Sequence, residues 1–119
     1  MSTRAQICMK RDTPAFTDDT GGIYIYKHND GYPGGVMPVL ADLVPRFVKD
    51  RGSDASYLLC QVVRAFAARD IKSVNFNQFT GWGLDTIKHD DTEYLYEIDA
   101  DSGKIYINGV LDSKDWSSK

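Results

Sequence analysis

Residues 93–110, EYLYEIDADSGKIYINGV, contain the pattern that decides the fold of this chain. Apolar and polar side chains alternate along 93–99 and again along 104–110, and a period of two residues is typical of β-strands with one buried face. The residues 100–103 between the two runs have the composition of a tight turn, in which Gly103 supplies a positive φ. We therefore predict a β-hairpin.

Two more strands are predicted near the start of the chain. Residues 3–10 form the first, with Cys8 on the face opposite to Ile7, and residues 22–28 alternate Ile and Tyr. Since the two strands are close in sequence, we expect them to pair antiparallel. Residues 71–83 lack periodicity and are predicted as an exposed loop, and residues 84–89 could add another strand.

Two helices are predicted between these groups of strands. Apolar residues recur at three- and four-residue spacing in the first, at Val36, Leu40, Leu43, Val44, Phe47 and Val48. Pro38 suits its first turn, whereas Pro45 should kink or break it. The second helix should run from a cap at Ser53 or Asp54 to about Asp70. Its inward residues are predicted to be Leu59, Val62, Val63 and Phe66.

This order of elements predicts an α+β fold, an antiparallel sheet of four to five strands with two helices packed on one face. Residues 1–112 should form a single domain, which is long enough to bury a core without disulfides. Residues 113–119 are polar apart from Trp116 and are predicted to be a flexible C-terminal tail.

Composition excludes several classes of protein. The net charge is −3 and the basic residues are scattered, so no nonspecific nucleic-acid binding is expected. No apolar stretch approaches the ~20 residues that cross a bilayer, and the N-terminus lacks the apolar segment of a secretory signal. Cys8 and Cys60 lie among apolar residues and have no metal-binding or redox spacing, which predicts buried thiols in a reducing compartment.

The segment between the second strand and the first helix is the best candidate for a binding site. Its candidate residues are Tyr26, His28, Asp30, Gly31, Tyr32, Gly34 and Gly35. In an extended chain His28 and Asp30 share one face and could act as a base and its orienting partner, or as metal ligands. The alternative is turn chemistry, in which Asp30 bonds its own backbone and Gly31 takes a positive φ.

The glycines ahead of the helix also allow two interpretations. Backbone amides at a helix N-terminus attract anions, but no Walker lysine follows and the spacing is not that of a dinucleotide fingerprint, so a packing or turn role is favoured.

His89, followed by Asp90 and Asp91, is the second candidate cluster. It would lie near His28 if the strands that carry them are neighbours. We expect neither a metal site nor a cofactor, because His and Asp are common in turns. Five tyrosines at alternate strand positions could form a stacking surface, although sheet packing is favoured. These are Tyr24, Tyr26, Tyr94, Tyr96 and Tyr106.

Three segments together resemble a family of short, largely uncharacterised proteins from bacteriophages and bacterial genomes. They are Ser2-Thr3-Arg4, residues 26–36 with a Tyr-x-His-x-Asp-Gly-Tyr-Pro turn, and residues 91–99. The resemblance spans most of the chain. It implies a phage or bacterial origin and a cytoplasmic setting, in a bacterium or an infected host cell, and it carries no catalytic residue over.

The sequence favours a noncatalytic binding domain for a small ligand, such as a nucleotide-like molecule, or for a protein partner. One alternative is a small hydrolase of phosphoesters that uses His28 or His89 as the base and Asp30 as its orienting partner or as a metal ligand. Another is a structural or assembly component. Unpaired sheet edges make a homo-oligomer plausible.

Overall fold

The structure is a computed structural model that describes residues 3–10, 23–28, 30–71, 82–114 and 116. This part of the chain contains six strands and two helices, and the α+β class is confirmed. The elements are β1 (Ala5–Met9), β2 (Tyr24–Lys27), α1 (Pro33–Arg51), α2 (Ala55–Ile71), β3 (Trp82–Asp85), β4 (Tyr94–Asp99), β5 (Lys104–Ile107) and β6 (Val110–Leu111).

The six strands form one mixed sheet in the order β3-β2-β1-β4-β5-β6. The predicted antiparallel pairing of β1 with β2 and the predicted hairpin of β4 and β5 are confirmed. The prediction of a purely antiparallel sheet of four to five strands is wrong, because β1 and β4 pair parallel. The reason is that β3 pairs with β2 at one edge, and the chain then crosses two strands before β4 enters beside β1.

Both helices pack on one face of the sheet, as predicted, and we call it the helix face. A helix and a sheet each bury one apolar surface, so the core forms where these surfaces meet. Strand residues in the core are Ala5, Ile7, Met9, Ile25, Tyr96, Ile98 and Ile105, and the helix residues are Val36, Met37, Leu40, Val44, Phe47, Ala55, Leu58, Leu59, Val62 and Phe66.

Helix α1 differs from its prediction at both prolines. The helix begins at Pro33, which takes the favourable first position, so Pro38 lies in the second turn. The helix also continues through Pro45 to Arg51, so of the predicted kink or break the break does not occur, while the kink stays a prediction. Burial of Val44 and Phe47 on either side of Pro45 offsets the loss of one backbone hydrogen bond.

Helix α2 has the predicted position, but its buried face is rotated. Leu58 is fully buried, whereas Val63 is 37% exposed. The buried positions 55, 58, 59, 62 and 66 fall in one stripe ~100° wide on a helical projection, and position 63 lies outside it. Cys8 is buried as predicted, while the prediction is wrong for Cys60, which is exposed on α2.

The opposite side of the sheet, the outer face, is also covered in its centre. Gln6, Cys8 and Tyr24 are buried there, although their side chains point away from the helices. The side-chain NH₂ of Gln6 donates a hydrogen bond of 3.1 Å to the carbonyl of Ile87. The side-chain oxygen of Gln6 accepts a hydrogen bond of 2.8 Å from the backbone N–H of His89. Residues 86–93, the crossing segment, therefore pass over this face on the way from β3 to β4.

Several sequence predictions lie wholly or partly outside the described residues. Residues 72–81, most of the predicted exposed loop, are in this group, but Trp82 and Gly83 belong to β3. In the predicted flexible tail, Trp116 packs against the core and donates its indole N–H to Asp112 at 2.8 Å. Within the described residues, neither α1 nor α2 has an apolar stretch that could cross a membrane.

Candidate functional site

The turn between β2 and α1 is held in place by a close approach of backbones. Gly31 donates its N–H to the carbonyl of Thr3 at 2.8 Å. A Cβ on Gly31 would lie 2.7 Å from the Cβ of Ala5, so only glycine fits without displacing β1. The positive φ of the turn occurs at Asp30, at 57°, and not at Gly31 as the turn interpretation expected. Asp residues tolerate this left-handed conformation better than most side chains.

Helix α1 starts in the same tightly packed region. A Cβ on Gly35 would overlap the carbonyl oxygen of Asp30. The Gly35 carbonyl accepts a hydrogen bond of 2.7 Å from the guanidinium of Arg69 on α2. The N-cap residue, Tyr32, makes no side-chain capping bond, and the first turn contains no acidic residue. Gly31 and Gly35 thus have packing roles in this fold.

Tyr96, on the helix face of β4, connects the β2–α1 turn to the sheet. Its hydroxyl donates to the Gly31 carbonyl at 2.6 Å, and the side chain is fully buried on the helix face. Burial raises the pKa of Tyr96 well above its ordinary value, and the neighbouring Tyr94 and Asp112 raise it further. Tyr96 is therefore a neutral donor in a buried hydrogen bond at all ordinary pH values.

The predicted site residues separate into a buried and an exposed group. Gly31 is buried and Gly35 is half-buried, whereas His28, Asp30, Tyr32 and Gly34 are exposed. Tyr32 keeps 46% of its surface accessible. The exposed part of the turn can therefore contact a partner without any change in the fold.

His28 and His89 both contact Tyr26, which lies on the outer face. The Tyr26 hydroxyl is 2.9 Å from Nδ1 of His28, and the two ring centroids are 6.0 Å apart. The ring of His89 lies 5.5 Å from that of Tyr26, tilted by 51°. We call these three residues the His–Tyr–His cluster. The structure thus brings together two histidines that are 61 positions apart in the sequence.

Asp85 is the acidic partner in this region, and sequence reasoning did not identify it. Its Oδ2 lies 2.8 Å from Nε2 of His89, and both side chains are 40% exposed. Asp91, a sequence candidate, instead forms an ion pair with Arg4 at 2.6 Å. The missed signal was the position of Asp85 at the end of β3, four residues before His89, where the crossing segment folds back over the sheet.

The five tyrosines do not form one stacking surface. The register places Tyr26 opposite Gln6 and places Tyr96 opposite Ile7, and adjacent strand residues point to opposite faces. Tyr24, Tyr26 and Tyr106 therefore belong to the outer face. The other two, Tyr94 and Tyr96, lie on the helix face with their rings 6.1 Å apart.

The His–Tyr–His cluster is accessible to solvent, because His28 is exposed and Tyr26 and His89 are half-buried. Two concave regions, of about 530 and 250 Å³, lie elsewhere, and neither is lined by a residue of the cluster. Within the described part of the chain, no three His, Cys, Asp or Glu side chains are grouped so that they could hold a metal ion. The geometry suits contact through ring faces and hydrogen bonds.

Comparisons with other proteins add no family assignment. No protein-family model matches the chain, and neither a curated protein nor a solved structure is significantly similar to it. The resemblance to the phage and bacterial family therefore stays a prediction, as does the cytoplasmic setting that it implies.

Proposed function

We propose that this protein is a noncatalytic binding domain whose ligand contacts the His–Tyr–His cluster and the exposed part of the β2–α1 turn. The observation that carries the proposal is that both imidazoles lie within about 6 Å of the Tyr26 ring on the outer face. Tyr26 and the two histidines together offer stacking surfaces and imidazole hydrogen-bonding groups on one face of the sheet.

A small ligand with a planar ring and hydrogen-bonding groups fits this surface best. A nucleobase has both features, since every base has a π-face that stacks on aromatic side chains. Tyr32 and Asp30 are exposed in the turn that follows β2, and we expect them to contact the remainder of such a ligand. The preference is for a nucleotide-like molecule over a nucleic-acid backbone, because the chain has no basic stripe.

The arrangement of the fold supports binding without large movement. β2 carries Tyr26, β3 carries Asp85, and Gln6 on β1 holds the backbone of His89. Three hydrogen-bonded strands thus position the cluster before any ligand arrives, which reduces the entropy lost on binding.

The direct test is a titration of the protein with AMP, followed by NMR signals of the imidazole ring protons. We expect saturable shifts at both histidines, and His28→Ala and Tyr32→Ala should each weaken binding at least about fivefold, since each removes a contacting side chain. Tyr57→Ala is the matched control, because Tyr57 is an exposed aromatic residue on α2. The ring of His89 is present in all four proteins, and half-saturation at the same AMP concentration in each of them would refute this location.

Hydrolysis of a phosphoester is the second candidate function, and one contact favours it. The Asp85 carboxylate orients the His89 imidazole, as an acidic residue does for a general base. The predicted orienter, Asp30, is not part of this pair. Turnover of bis(p-nitrophenyl) phosphate that disappears in both His89→Ala and Asp85→Asn would establish catalysis in place of simple binding.

A further inference from the structure

The two helices enclose a groove on the other side of the molecule from the His–Tyr–His cluster. Helices α1 and α2 are joined by the short segment 52–54, and the concave surface between them has a volume of about 530 Å³. This volume lies within the range of pockets that bind small molecules. We call it the helix groove.

The helix groove is lined by both apolar side chains and arginines. Leu43 and Phe47 are among the apolar lining residues. Arg46 and Arg51 come from α1, and Arg64 comes from α2. Arginines from both helices therefore line one groove together with apolar side chains.

The guanidinium groups have hydrogen-bonding capacity to spare. Arg64 makes no ion pair with any described residue. The central carbon of the Arg51 guanidinium lies 4.9 Å from the centre of the Tyr57 ring, a cation–π contact that does not require the N–H hydrogen bonds an anion would accept. The ion pair of Arg46 with Asp42 is highly exposed, and such pairs contribute little stability, so an incoming anion can compete for the arginine.

The net charge of the helix groove limits the charge of the ligand that can bind there. Two aspartates, Asp42 and Asp50, stand beside the three arginines, which leaves one net positive charge. A ligand with a single negative charge balances it, whereas a polyanion would be repelled by the aspartates. The apolar side chains of the lining favour a ligand with a hydrocarbon body of matching size.

We propose that the helix groove binds a small monoanionic carboxylate with an apolar body, its carboxylate held by Arg64 and Arg46. Planar carboxylates accept two parallel N–H bonds from a guanidinium, which gives orientation as well as affinity. The site is separate from the outer face, so this inference does not depend on the proposed function.

The experiment is a ¹⁵N-NMR titration of the full chain with 4-phenylbutyrate, and in parallel with the neutral 4-phenylbutanamide. For a probe of this size we expect half-saturation at about millimolar concentration, with amide shifts concentrated along 38–51 and 61–65. The neutral analogue should bind about tenfold more weakly, because it cannot form charge-assisted hydrogen bonds.

A variant of Arg64 tests where the carboxylate of the probe binds. Arg64→Gln should weaken binding of 4-phenylbutyrate about tenfold and leave the weak binding of the amide unchanged. Lys49→Gln is the control, since it removes one exposed positive charge from α1 outside the groove. Equal binding of the two probes, an unaffected Arg64→Gln variant, or shifts centred outside the two helices would each overturn the proposal.

Discussion

Tyr96 shows how one side chain ties together parts of the chain that are far apart in sequence. It belongs to β4, pairs in register with Ile7 of the parallel strand β1, and donates a hydrogen bond to Gly31 in the turn after β2. Replacing its hydroxyl would leave the Gly31 carbonyl buried without this donor, and unsatisfied buried acceptors are costly. The residue therefore supports the turn on which the proposed binding site depends.

Tyr96→Phe should lower the free energy of unfolding by about 1–3 kcal/mol at pH 8, measured by urea denaturation. The pH dependence gives a second readout. The folded-state pKa of Tyr96 is raised, so its contribution is complete below the unfolded pKa of about 10 and declines as the pH rises above that value. The difference between wild type and variant should therefore shrink above pH 10. A difference that is constant from pH 8 to 11 would contradict this assignment.

At the scale of single elements, α1 illustrates a conflict between local preference and tertiary packing. The sequence predicts a kink or a break at Pro45, and the helix runs without a break over 19 residues from Pro33 to Arg51. Apolar residues on both sides of Pro45 are buried against the sheet. The β4–β5 turn also packs against it, since a Cβ on Gly103 would lie 3.3 Å from the Cα of Pro45. Packing thus stabilises a helix that its own sequence weakens.

Pro45→Ala should raise the free energy of unfolding by about 1–3 kcal/mol. The substitution restores a backbone N–H for the carbonyl of Ala41 and removes a ring clash, and these gains exceed the ~1 kcal/mol lost through a more flexible unfolded chain. The Cα that contacts the β4–β5 turn is unchanged. Thermal unfolding measures the effect, with Lys49→Ala as an exposed control that should change stability by less than about 0.5 kcal/mol. A lower melting temperature for Pro45→Ala would show that the ring itself is required.

At the scale of the whole molecule, the crossing segment makes the mixed sheet possible. It carries the chain from β3 at the edge, over β2 and β1, to β4, and it covers the centre of the outer face. The side-chain amide of Gln6 bonds to this segment through both its NH₂ group and its oxygen, and Arg4 forms an ion pair with Asp91 of the segment. These contacts also determine the position of His89 in the His–Tyr–His cluster.

Gln6→Ala should therefore disturb the cluster as well as the fold. The loss of both amide bonds leaves two backbone groups of the crossing segment without these partners, at a cost of about 2–4 kcal/mol in unfolding free energy. In hydrogen exchange, the His89 amide should exchange much faster in the variant than in the wild type. The amides of the β4–β5 hairpin should keep the same ranking of exchange rates among themselves. Unchanged exchange at His89 would mean that other contacts hold the segment.

What the sequence alone determined was local in origin. The β4–β5 hairpin, the antiparallel pairing of β1 with β2, and the positions of both helices depend on residues close together along the chain, so alternation, helical period and turn composition were sufficient. The β2–α1 turn was also visible as a candidate site, although Gly31 is required there for a close approach to Ala5 and not for a positive φ.

The parallel pairing of strands and the make-up of the His–Tyr–His cluster depend on the tertiary structure alone. Alternation of side chains is the same for parallel and antiparallel strands, so it could not reveal that β4 pairs parallel with β1. The same crossing brings His89 beside Tyr26, and the register of the strands places Tyr26 and Tyr96 on opposite faces. Contacts between residues 60 or more positions apart arise when the whole core assembles, because the apolar surfaces of both helices and the sheet must be buried together.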